Sequence, residues 1–182
     1  VYAEEGTLAH AAAECILRDD KAGLDSVKRK ILAGDFYPEI PEKVRKYTDY
    51  VTALRDSVHG EPFVEQRLAL TAITGEEGAR GTSDAVILAP GELYVIDLKY
   101  GQGDKIDAPE NPQLLIYAAA AYQAFSFADI DLAGLGLVSD GGHFDCEISF
   151  RDVSHHVMSC VFCCYTDGCA FEHYNDVWQV LA

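Results

Sequence analysis

The chain has 182 residues, 49% apolar and 24% charged, which suits one compact domain with a real core. Its formal net charge of −16 excludes a broad electrostatic grip on nucleic acid, because phosphate neutralisation supplies most non-specific affinity. No run of about eighteen apolar residues occurs, so a soluble protein without a membrane-spanning helix is expected, and no signal-peptide pattern opens the chain, which starts on Val1.

Residues 6–20 read as an Ala-rich helix with Thr7 as N-cap and Leu8, Ala12, Cys15 and Ile16 as its apolar stripe. His10 and Glu14, four residues apart, share one face of it, and Glu14 is expected to be structural. Two further helices are expected at 24–33 and 41–58, the second opening on Pro41 and carrying Val44, Tyr47, Val51 and Leu54 at helical spacing. Lys and Arg concentrate from Arg18 to Lys30 and from Lys43 to Arg55, either as solvated faces or as local phosphate contacts.

Residues 62–73 predict a strand in which Phe63, Glu65, Arg67 and Ala69 share one face. Val64, Leu68 and Leu70 do not all fit the other, so a bulge or a barely alternating buried strand is expected. Runs 80–88 and 92–99 then form a hairpin around Pro90-Gly91, since Pro presets φ and Gly accepts the left-handed position. Alternation puts Leu93, Val95, Asp97 and Lys99 on one side of the second run and Tyr94, Ile96 and Leu98 on the other. Charges in such a setting are costly unless paired or metal-bound. Glu65, Asp84 and Asp97 fall on adjacent strands of an antiparallel meander, a set of oxygens suited to a hard cation.

A Gly-, Pro- and Asp-rich loop leads to a helix that starts at Asn111-Pro112, with Gln113 and Tyr117 as an i, i+4 pair. Strands follow at 133–140 and 143–150, then a C-terminal helical region over 152–182. The order predicts an α/β fold, a central mixed β-sheet flanked by helices, in one domain over 1–182 with 21–60 as a helical insertion. Among six cysteines, Cys160, Cys163, Cys164 and Cys169 fall within ten residues, which favours reduced thiols or a metal cluster over a disulfide scaffold.

Taken in order, GTLAH with His10, Glu65, GTSDAVI with Asp84, VIDLK with Asp97 and Lys99, and QLLIY with Gln113 and Tyr117 resemble the PD-(D/E)XK nuclease superfamily. Within it the chain is similar to RecB-like exonucleases, most of all phage-encoded ones. The joint match runs from residue 6 to about 117 and is far more specific than Asp-x-Lys alone. The resemblance implies a restriction-endonuclease-like fold and a metal-dependent DNA nuclease. An exonuclease is implied, serving phage replication, recombination or host-DNA breakdown in the cytoplasm of a bacterial host. It also implies Mg²⁺ or Mn²⁺ held by His10, Asp84, Asp97 and the backbone carbonyl of Leu98, with Lys99 assisting the attacking water. Gln113 and Tyr117 would position the DNA strand, and Glu65 is either a further ligand or an edge charge.

Cys160, Cys163 and Cys169 match the C-x2-C-x5-C triplet of iron-sulfur members, which implies a [4Fe-4S] cluster. The fourth cysteine of that pattern precedes the His motif, whereas Cys15 follows His10. Thiols buried along a helix HHVMSCVFCCY are the competing expectation. Two rival functions remain open: a nuclease fold kept only for DNA or protein binding, which the acidic balance suits, and a phosphodiesterase for small nucleotides. A ring-forming homo-oligomer would supply the processivity that the surface charge does not.

Overall fold

Runs rich in β-branched and aromatic residues build one sheet in the strand order β1 (Glu61–Ala69), β2 (Arg80–Ala89), β3 (Glu92–Leu98), β4 (Leu132–Ser139), β5 (Gly142–Ser149) and β6 (Ser159–Phe162). The structure, a computed structural model, describes residues 2–34, 40–100, 112–126, 128–139, 142–149 and 159–162. Among the described strands only β3 and β4 run parallel, and every other neighbouring pair is antiparallel, so the sheet is mixed. A parallel step needs a long crossover, and α5 (Pro112–Ala124) lies in that connection.

The expected hairpin forms with its turn at Pro90-Gly91. The ladder closes on Ala89↔Glu92, and Gly91 takes φ 78°, a left-handed value that any side chain would resist. Its second strand alternates as expected. Leu93 and Val95 join Val86, Leu114, Ala118, Ala121 and Leu135 in one core, between the sheet and α5. Ile96 and Leu98 join Ala85 and Ile87 in a second core on the opposite face. That face is covered by α1 (Tyr2–Leu17) and α3 (Ile40–Val58), with α2 (Lys21–Ala33) packed on α1. Val44, Tyr47 and Val51 are buried there and Leu54 partly so, as their helical spacing predicts. The fold is therefore the expected mixed sheet flanked by helices. No helix among the described residues is long and apolar enough to cross a membrane.

Several local expectations need correction. Thr7 is not an N-cap but lies inside α1, which begins at Tyr2, because an Ala-rich segment extends a helix without needing a cap to start it. Ile16 is 41% exposed, and Ala9 and Ala13 take the buried positions instead, allowing close approach to the sheet. The strand expected over 62–73 ends at Ala69, and residues Thr71–Thr74 form a short helix, α4. The C-terminal region is not wholly helical: Ser159–Phe162 pairs antiparallel with β5, from Cys146↔Phe162 to Ser149↔Ser159. Cys-Val-Phe suits a pleated surface, and β5 would otherwise leave an open edge. Cys160 thus lies on a strand. Cys163, Cys164, Cys169, His155, His156 and the loop 101–111 lie outside the described residues.

Gly81 marks a close approach of α5 to the sheet. A Cβ built on it would lie 2.6 Å from Tyr117 Cε1 and 2.9 Å from its Oη. Gly81→Ala is expected to push the Tyr117 ring aside at a cost of about 1–3 kcal/mol. A double-mutant cycle by urea denaturation checks this, since the cost should vanish in a Tyr117→Ala background.

Candidate metal centre

The site forms where the central strands part. The β1–β2 register passes from Val64↔Ala85 to Gln66↔Ser83 with the rung between them missing, which leaves Glu65 facing Asp84. The β2–β3 ladder starts at Ala85↔Ile96, one rung short of Asp84 opposite Asp97. Glu65, Asp84 and Asp97 thus occupy one transverse row across three strands. No residue is inserted, so the irregularity expected in β1 is not a bulge. It is a kink: Glu65 adopts φ 50°, a left-handed backbone that costs about 1–3 kcal/mol for a residue with a side chain. The kink explains the broken alternation, because Phe63 before it and Leu68 after it both pack into the α5 core, five positions apart.

Side chains converge on this row from both layers. The Nδ1–H of His10, from α1, donates to Asp84 Oδ1 at 3.1 Å. Asp84 Oδ2 accepts from the Leu98 backbone N–H at 2.8 Å. Along a strand, N–H and C=O of one residue share an edge and successive residues alternate. The Lys99 N–H points to β4, bonding the Val138 carbonyl at 2.9 Å, so the Leu98 carbonyl opens toward β2 and the gap holding Asp84. One donor atom each from His10, Glu65 and Asp84 lie mutually within 4.8 Å.

Asp97 stands at the end of the row, 4% exposed. Lys99 Nζ is 2.7 Å from Asp97 Oδ2. The contact is off the hydrogen-bonding direction, so this buried oxygen is charge-compensated but has no aligned donor. Lys99 Nζ donates to Gln113 Oε1 at 2.7 Å, and Gln113 Nε2 approaches Asp97 Oδ1 at 3.5 Å. Gln113 therefore joins the lysine rather than standing apart on its helix. Tyr117, one turn further along α5, lies instead over Gly81. Glu14 lies outside the cluster, 3.2 Å from Arg18.

The electrostatics record crowded negative charge. Burial, then the Asp84 carboxylate, raise Asp97 above the usual carboxylate range against the pull of Lys99. Burial and the neighbouring Asp84 and Glu14 raise Glu65 likewise. His10 is raised chiefly by its bond to Asp84, with burial opposing. Beneath the row, buried Tyr47 reaches toward the Ile96 carbonyl at 3.5 Å, and burial followed by the charges of Asp84, Asp97 and Glu65 pushes its phenol well above the ordinary value. Sequence reading missed two neighbours of the row, Tyr47 beneath it and Arg18, whose Nη2 donates to the Val64 carbonyl at 2.7 Å. The only signal for Arg18 was its place eight residues after His10 on one helix face.

This charge pattern sets a pH dependence. A folded-state pKa raised above its unfolded value contributes stability that is present below the unfolded pKa and lost as pH rises through the folded one. His10, Glu65 and Asp97 share that sign. In EDTA, melting temperature is expected to fall as pH rises from 6.5, the ordinary His value, through the raised His10 value. His10→Gln should flatten that part of the slope. Differential scanning fluorimetry across the window checks it, and an unchanged slope in the variant contradicts it.

Fold and site define a mixed α/β protein with an imidazole–carboxylate centre at the fork of its sheet. Residues 1–135 match the family described as "Protein of unknown function (DUF2800)", and the chain belongs to that family. A solved structure described as "Crystal structure of SSO0001" is similar at 11% identity, with a TM-score of 0.32, over 79% of this chain. The match spans 65% of that protein's own length.

Proposed function

We propose that the chain is a metal-dependent DNA nuclease of the PD-(D/E)XK type, and that the row Glu65, Asp84, Asp97 with His10 and Lys99 is its active site. The observation that carries the reading is the meeting of three donor residues from three elements within 4.8 Å, beside Asp97 and its lysine. The donor set fits the cation. Carboxylate oxygens with one imidazole suit Mg²⁺ or Mn²⁺, and the raised carboxyls of Glu65 and Asp97 mark negative charge that a cation would relieve. His10, Glu65, Asp84 and Asp97 would hold it, with the Leu98 carbonyl facing the same gap.

A divalent cation there supplies Lewis-acid polarisation of the scissile phosphate and lowers the pKa of a water. Lys99, held between Asp97 and Gln113, orients the attacking water and offsets the charge that builds on the phosphoryl oxygens. Gln113 fixes this lysine, and Tyr117, over Gly81, would contact the DNA strand as the sequence resemblance implies. Action on DNA ends, a place in phage DNA metabolism and a [4Fe-4S] cluster rest on the sequence resemblance alone.

The net charge of −16 favours a second reading, hydrolysis of small nucleotides or a nuclease fold kept for protein contact without catalysis. Competition separates these. With Mn²⁺ and labelled linear DNA, unlabelled DNA should suppress product release at concentrations where mononucleotides do not. Suppression by mononucleotides supports the small-substrate reading. No hydrolysis of either, with Mn²⁺ shown by calorimetry to bind, supports the binding module.

A further inference from the structure

We propose that Arg18 is the positioning residue that turns Glu65 into the metal centre, an inference that rests on the reading of that centre above. Regular alternation would place Glu65 on the same side as Phe63, which packs into the α5 core. His10 comes from α1, on the other side of the sheet. Asp84 shares that side, since Phe63 pairs with Val86 of the same core, so alternation alone brings Glu65 to Asp84; its approach to His10 comes with a left-handed backbone at φ 50°, a state that persists only where surrounding structure enforces it.

The peptide plane between Val64 and Glu65 is the one whose rotation sets that φ. Its carbonyl oxygen accepts from Arg18 Nη2 at 2.7 Å. The guanidinium is steadied in turn by Glu14, 3.2 Å from Nη1. His10, Glu14 and Arg18 recur every four residues on one face of α1 and its end, so the helix that supplies the imidazole also sets the angle of the opposing carboxylate. Arg18 touches none of the donor atoms. It acts through Glu65.

Mn²⁺ titration of the full chain by isothermal calorimetry tests this. Arg18→Ala should weaken Mn²⁺ binding about 10-fold to 100-fold, the usual effect of losing an outer support. Glu65→Gln should weaken it too, and adding Arg18→Ala to Glu65→Gln should change nothing further. Arg18→Lys, which keeps one donor, should recover part of the loss. Wild-type affinity in Arg18→Ala, or additive losses in the double variant, overturns the inference. If the wild type binds no Mn²⁺, the metal reading fails instead. The inference is then decided by a crystal structure of Arg18→Ala, where an extended Glu65 bears it out and a left-handed one overturns it.

Discussion

Lys99→Ala is expected to reduce Mn²⁺-dependent hydrolysis of DNA by about 10²- to 10⁴-fold, the usual worth of a positioned proton-transfer group. The loss should fall on kcat. Lys99 is not among the oxygen and imidazole donors, and removing an ammonium 2.7 Å from Asp97 does not weaken that carboxylate's attraction for a neighbouring cation. Mn²⁺ affinity in the variant should match or exceed that of the wild type. Gln113→Ala makes a graded comparison: it removes the acceptor that holds the ammonium at 2.7 Å while leaving the Asp97 ion pair in place, so its loss should be smaller. Rate measurements at saturating Mn²⁺ and DNA decide both, and undiminished turnover in Lys99→Ala would remove the lysine from the mechanism.

The largest effect on stability is expected at Tyr47. It is 1% exposed and the largest fully buried side chain among the described residues, projecting from α3 against the sheet below the site. Truncating a buried aromatic to Ala costs about 3–5 kcal/mol. For a chain of this size that corresponds to a fall in melting temperature of roughly 6–20 °C. Tyr47→Phe should be mild, because the bond to the Ile96 carbonyl is 3.5 Å long and an ordinary hydrogen bond contributes only about 0.5–1.5 kcal/mol net. The pair of variants separates packing from the hydroxyl. Thermal denaturation with EDTA present keeps metal binding out of the comparison, and a Tyr47→Ala melting temperature near that of the wild type would contradict the assignment of the core.

The hairpin, the alternation of Leu93 to Leu98 and the buried stripe of α3 were legible because each is a local pattern with one solution. Pro90-Gly91 fixes a turn, and period two or period 3.6 fixes a face. The carboxylates of β1, β2 and β3 could be placed on adjacent strands for the same reason. Their alignment in one transverse row could not, since register between strands depends on ladder pairing that no local motif encodes. Nor could the left-handed Glu65, because a non-glycine residue at positive φ carries no sequence mark. That single angle accounts for the alternation of β1 that refused to fit, with Phe63 and Leu68 turned to the same core. The short strand β6 was missed where a run of thiols and aromatics has no decisive period, and its pairing depends on an edge supplied by β5.

The most direct measurement is degradation of linear DNA by the wild type and Asp97→Asn, each with Mn²⁺ and with EDTA. Asp97 is the buried carboxylate that ends the row and pairs with Lys99, and asparagine keeps its shape while removing the charge. The wild type should degrade DNA with Mn²⁺ and not with EDTA, and Asp97→Asn should be inactive in both. Equal degradation by the two proteins, or degradation by the wild type that persists in EDTA, would contradict a metal-dependent nuclease centred on this row.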